Sequence, residues 1–401
     1  MLLSLLLAAC GRGRGGPACP SDSAGVPVAS SRGPGEWASH DLTPGLKEEW
    51  RAGGLRKGEA LALPIGAAPS LHGRLAVPDF QLQEVFVLRA NGTWSGTWGG
   101  PGDGPGEYRY PLAAAWSRTG RLAVLDVGHG RVVFFRNGKA IGEPLRTAPQ
   151  LLARLVAGGR LRWQAIGPEG TLFLIPPAAA LTVNGSTAAG GSAGNGLYVR
   201  AILLRVAPGA SSADTLLDAR ERVLGGPFPT WPAPGWPRLV AAVSPHGGIV
   251  AAGWGPGYRL AEFGANGSLI RIVCRAASAV PFTDAERGGP GPTPNADLST
   301  ALGKSPAPTS PASVGRLFVG AEGRIWVERD RPRALDRADA SLGRSGGTFD
   351  VFGPQGRYLG ELHAPEGARL VAASGDRVWA FLRGSLDQTT IVAYRLSLAK
   401  R

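Results

Sequence analysis

The sequence predicts an all-β fold: a six-bladed β-propeller of four-stranded antiparallel blades, with the last blade closed by an N-terminal strand. Three observations predict it. A glycine-led strand motif recurs six times, Asn-Gly-type turns close most copies, and one unpaired strand is left over near each end of the chain. Each blade alone is too small to bury its apolar face, so the copies must stack.

The motif is clearest as GRLAVPD at 73–79 and GRLAVLD at 120–126. Looser copies begin at Gly170, Gly248, Gly323 and Gly375, giving steps of 47, 50, 78, 75 and 52 residues. A first apolar strand precedes each glycine: 111–116, 161–166, 238–243, 315–320 and 368–373, with 60–66 as the candidate in the first copy. The second strand is the motif itself. The third is EVFVL from Glu84, RVVFFR from Arg131, and then 201–206, 259–263, 348–352 and 389–396. Turns at Asn91-Gly92, Asn137-Gly138, Pro208-Gly209, Asn266-Gly267 and Gln355-Gly356 follow. Asn-Gly is the strongest short hairpin signal, since both residues must take positive φ. An outer strand then leaves each of the first five turns: TWSGTW, AIGEPL, DTLLDA, SLIRIV and RYLGEL. The sixth copy has none, and LKEEWR at 46–51 is a strand without a partner, so the spacing predicts that it completes the last blade. A seventh blade hidden in 178–200 or 280–312 is the rival count, but neither stretch alternates.

Composition adds limits. Gly 61 and Pro 34 approach a quarter of the 401 residues without a collagen period, and the 43% hydrophobic content with 11 Trp still supplies a core. The net charge of +13 comes from 43 basic residues, of which only Lys47, Lys57, Lys139, Lys304 and Lys400 are lysine. The arginines are scattered rather than clustered on one element, so a nucleic-acid partner is not expected. The chain divides as 1–10, an apolar signal-type segment; 11–44, a Gly/Pro/Ser-rich flexible tether; and 45–401, the propeller, with 283–313 a disordered-like insertion between blades 4 and 5. Leu7-Ala8-Ala9-Cys10 resembles the lipobox of bacterial lipoproteins, which implies lipid attachment at Cys10 and a place in the bacterial cell envelope, on the outer-membrane or periplasmic side, or secretion. Export would permit a Cys19–Cys274 disulfide. With Cys19 assigned to the tether, Cys274 reads instead as a buried, inert strand thiol.

The stretch 99–108, GGPGDGPGEY, leads into a strand and then Gly-x-Leu-x-Val-x-Asp. This pattern resembles the NHL-like six-bladed propellers, and more closely the exported bacterial six-bladed propeller proteins. The resemblance covers roughly 45–398 and implies the fold rather than an activity. In that pattern an Asp ends the second strand and an Arg begins the third. Asp126 and Arg131 match, the first copy has Asp79 with Glu84, and the other four copies lack the pair. Pro101 and Pro105 exclude a phosphate-binding helix start, so Glu107 is expected to hold amides of its own loop.

Chemistry is sparse. The innermost strands contain no acid, against the six to eight oxygen ligands of a calcium cage, and the five histidines lack metal-ligand spacing. His72, His129 and His246 lie near turns of three different blades. No catalytic residue, metal or cofactor is expected. Trp231 and Trp236, in the rigid stretch PFPTWPAPGWP at 227–237, are candidate binding residues, with packing against neighbouring blades as the competing role. The expected function is a non-catalytic scaffold for a protein, peptide or glycan, touching a membrane only through its lipid. The alternative is a metal-dependent hydrolase or lyase, gluconolactonase-like or amidating-lyase-like, with its site at the channel mouth.

Overall fold

The computed structural model describes residues 19, 25–53, 60–147, 163–176, 198–224, 231–232, 239–253, 258–276, 314–329, 347–384 and 388–400. They form six small sheets arranged as a six-bladed propeller. The innermost strands are Ala68–Pro69, Pro111–Trp116, Trp163–Ile166, Val240–Val243, Arg316–Val319 and Ala368–Ser374. Each touches the next in chain order, and the sixth touches the first, so the ring is closed.

The second strands carry the recurring motif and form the buried middle of each blade: Leu75–Asp79, Leu122–Asp126, Leu172–Ile175, Ile249–Ala252, Ile325–Glu328 and Arg377–Arg383. All are wholly buried along their length except the last. A strand covered on both faces reads as a continuous apolar run, as these do. The core is a set of apolar layers between blades. Trp326 and Trp379, both fully buried, lie in two such layers, while half-buried Trp163 packs at the edge of a third.

Closure follows the sequence reading. Strand Leu42–Gly53 pairs antiparallel with Thr389–Lys400 and becomes the outer strand of blade 6. A bulge between Glu48 and Trp50 frees Glu49 to cross the sheet. Its carboxylate accepts from Arg377 Nε and Arg395 Nε, each at 2.7 Å.

Four differences from the sequence reading have local causes. The inner strand of blade 1 is Ala68–Pro69 rather than 60–66, because the Asp79 carboxylate takes the Ala62 and Leu63 amides and holds that stretch across the blade top. The outer strand of blade 2 is broken into Lys139–Ala140 and Leu145–Arg146, where Gly142 takes φ 66° and Pro144 has no N–H to donate. Cys274 is not a free thiol, since it is bonded to Cys19. The stretch assigned to a flexible tether is built into the ring over its described residues 25–44. Val28–Ser31 adds in parallel to Leu269–Arg275 as a fifth strand of blade 4. The one-turn helix Glu36–Ser39 buries Trp37 against the outer strand Tyr358–His363 of blade 5. A Cβ at Gly35 would stand 2.8 Å from the Leu359 carbonyl oxygen, so only glycine permits this approach. These residues form a belt over the rims of blades 4, 5 and 6. Residues 1–10 with Cys10, 11–18, and 283–313 lie outside the described residues.

Candidate functional site

Strand direction sorts the connections onto two faces. The turns after the first and third strands lie on one face, the turn face. The connections after the second and fourth strands lie on the other, the loop face.

The loop face of blades 1 and 2 carries a polar cluster centred on Asp126. Asp126 ends its strand fully buried, and its Oδ1 accepts the amides of Arg109 (3.2 Å) and Tyr110 (3.1 Å), which lead into the inner strand. Its other oxygen faces His129 Nδ1 and Arg131 Nε. His129 Nε2 meets Asp103 at 2.7 Å, and Arg109 Nε also reaches Asp103 at 3.2 Å. The imidazole beside Asp103, with Arg109, holds that carboxyl below its ordinary range. Arg131 extends to the Gly104 and Glu107 carbonyls, and Glu107 accepts the Gly104 amide at 2.7 Å. Glu107 therefore does hold its own loop.

This arrangement is a clamp. Both ring nitrogens of His129 face carboxylates, so neither is free to take a proton from a ligand, as a general base must. Asp79 does the equivalent work in blade 1, accepting four amides: Ala62, Leu63, Gln81 and Leu82. The third strongly charged group, fully buried Asp350, lies between blades 4 and 5. It accepts a two-pronged bond from Arg329 (2.8 and 2.9 Å), a bond from Arg275 and one from the Tyr358 hydroxyl at 3.0 Å. Burial, then the Asp350 charge, pushes the Tyr358 hydroxyl well up. Glu328, the fourth buried acid, is held by Arg316 at 2.8 Å.

The histidines do not converge. His129 is on the loop face, whereas His72 and His246 are in turns on the opposite face. No three His, Cys, Asp or Glu side chains among the described residues are grouped to hold a metal ion. Trp231 pairs by its backbone with Leu224 as a short fifth strand of blade 3, and Trp236 lies outside the described residues. The structure also shows an exposed apolar group on the loop face that the sequence reading missed: Tyr110 stacks on Phe80 at 4.8 Å, with Leu82 exposed on the connection of Phe80 and Leu63 exposed on the connection into blade 1. Nothing in the local sequence pattern marks the pair, which comes from two blades.

The chain matches no family model and no curated protein. Solved structures do resemble it. A member of the duf4221 family from Bacteroides vulgatus aligns with TM-score 0.50 at 10% identity, covering 90% of this chain and 100% of that one. A putative exported protein from Bacteroides fragilis aligns with TM-score 0.46 at 10% identity over 92% and 99%. A gluconolactonase from Xanthomonas campestris aligns with TM-score 0.40 at 15% identity over 88% and 98%. The likeness is one of fold. Among the described residues no helix is long and apolar enough to cross a membrane.

Proposed function

We propose that the protein is an exported, lipid-anchored propeller that holds a protein, peptide or glycan ligand without transforming it. One observation carries this reading. Each of the four buried carboxylates among the described residues, Asp79, Asp126, Glu328 and Asp350, is already engaged by backbone amides or by arginine. A hydrolase or lyase needs an acid or base aimed at a ligand, and these groups are aimed at the fold. The Cys19–Cys274 bond supports export, because disulfides persist in oxidising compartments. The lipobox-like residues before Cys10 support the anchor.

Two measurements test the reading. Palmitate labelling in a bacterial host should mark the protein and fail in Cys10→Ala, and an unlabelled wild type would remove the anchor from the proposal. Metal analysis with a lactone-hydrolysis assay addresses the second reading, a metal-dependent propeller hydrolase or lyase. Stoichiometric calcium or zinc together with turnover would replace the scaffold by that enzyme.

A further inference from the structure

Two kinds of side-chain latch join neighbouring blades on the turn face, and among the described residues the junction of blades 1 and 2 has neither. At three junctions a side chain of the preceding blade donates to the carbonyl just before the next blade's outer turn. Trp50 Nε1 reaches Ala90 O at 3.1 Å, Arg205 Nε reaches Ala265 O at 2.7 Å, and Arg271 Nη2 reaches Pro354 O at 2.8 Å. A second latch uses the arginine that opens the second strand. Arg121 reaches Pro168 O and the Glu169 carboxylate of blade 3, and Arg324 reaches Gly375 O of blade 6 at 3.0 Å.

Arg74 occupies the same repeat position in blade 1 and makes neither bond. Arg74 is half-buried, and among the described residues its guanidinium has no ion pair or hydrogen bond and no side chain donates to Arg136 O, the carbonyl before the Asn137-Gly138 turn. An open cleft of about 290 Å³ stands there, lined by Arg74, Ser95, Thr97, Trp98, Asn137 and Gly138. The junction of blades 2 and 3 also lacks the first latch, but Leu145 and Leu172 fill it and leave about 10 Å³. Trp98 is 4% exposed, with its ring packed against Trp116 and Phe135. Its Nε1 would stand 3.5 Å from a Cβ at Gly138, and it donates to nothing among the described residues.

We infer that this cleft between blades 1 and 2 is a binding site for the carboxylate of a sugar acid. No carboxylate lines it, and its inventory is donor-rich: one planar cation, an indole N–H, two hydroxyls and an amide. The guanidinium fork matches a carboxylate. Ser95, Thr97 and Asn137 present groups that both donate and accept, which suits ring hydroxyls. The volume lies at the small end of the roughly 300–1,000 Å³ found for ligand pockets, and so suits one pyranose rather than a peptide. The site narrows the proposed scaffold function to one place and one ligand chemistry, and rests on that reading.

Calorimetric titration of the full chain with galacturonate and glucuronate tests the inference, with galactose and inorganic phosphate as comparison probes. Saturable uronate binding is expected, weakened about tenfold or more in Arg74→Gln and unchanged in Arg118→Gln, an exposed arginine in the neighbouring turn. Ser95→Phe, which fills the cleft while keeping Arg74, should abolish binding even if Arg74→Gln folds poorly. The inference is overturned by absent uronate binding, by equal binding to the filled variant, or by phosphate binding in preference to uronate. Assaying the same samples for turnover separates the two proposals. Turnover would end the non-catalytic reading and leave the site, whereas absent binding would end the site and leave the scaffold.

Discussion

The single residue that best exposes the energetics of the repeat is Glu84. In blade 2, Asp126 stands directly opposite Arg131 across the ladder; in blade 1, Asp79 stands directly opposite Glu84. Burial, together with the Asp79 charge, pushes the Glu84 carboxyl up. A carboxyl raised on folding binds its proton more tightly in the native state. Its favourable contribution is therefore present below the ordinary glutamate range and lost as pH rises through the raised value. Glu84→Gln is thus expected to raise the thermal midpoint at pH 7 and to change it little near pH 4. Glu84→Arg, which copies blade 2, should stabilise by roughly 0.5–1 kcal/mol at neutral pH. Denaturant melts at the two pH values check both, and an equal gain at both would refute the charge argument. Asp350 is a fully buried acid held by two arginine partners. Asp350→Asn leaves both guanidiniums without their anion and should cost about 3–5 kcal/mol.

At the scale of elements, the belt of residues 25–44 decides how the rims of blades 4 and 5 are protected. An outer strand is an open edge that invites pairing with another chain. Val28–Ser31 covers that of blade 4, and Trp37 packs on that of blade 5. The strand is only four residues long, and the Cys19–Cys274 bond ties the chain that leads into it to its partner strand. Cys274→Ser, or reduction with a dithiol, is expected to open this strand locally while the ring stays folded. Trypsin cleavage after Arg32 should then accelerate before any loss of far-ultraviolet circular dichroism. Unchanged cleavage in the reduced protein would show that the belt holds without its disulfide. Trp37→Ala should loosen the same region by about 3–5 kcal/mol through cavity formation, read by hydrogen exchange over 28–40.

For the whole molecule, the decisive feature is that the two chain ends meet in one sheet. The ladder between Leu42–Gly53 and Thr389–Lys400 turns an open row of blades into a ring, and Glu49 braces it against Arg377 and Arg395. The Arg377 bond first, and Arg395 with it, hold the Glu49 carboxyl below its ordinary range. A lowered carboxyl contributes stability above the ordinary glutamate range and loses it as pH falls through the lowered value. Acid should therefore loosen the closure. Glu49→Gln should cost about 1–2 kcal/mol at pH 7 and flatten the acid limb of the melting profile. A profile parallel to wild type would count against Glu49 as the brace.

The amino-acid sequence by itself determined the number of blades, the order of strands within each, and the pairing of the chain ends. These depend on local alternation, turn glycines and a repeat, all written in short windows. It also marked Asp126 with Arg131 and gave Glu107 its loop. Tertiary structure alone decided the fate of 25–44, whose polar, aperiodic residues bind blades more than two hundred positions away, and hence the disulfide. It decided too that 60–66 would be held by Asp79 rather than become a strand. The missing latch at Arg74 belongs to the same class: a residue identical in type and position to its repeat partners differs only in what the neighbouring blade places beside it, and that neighbour is set by packing across the ring.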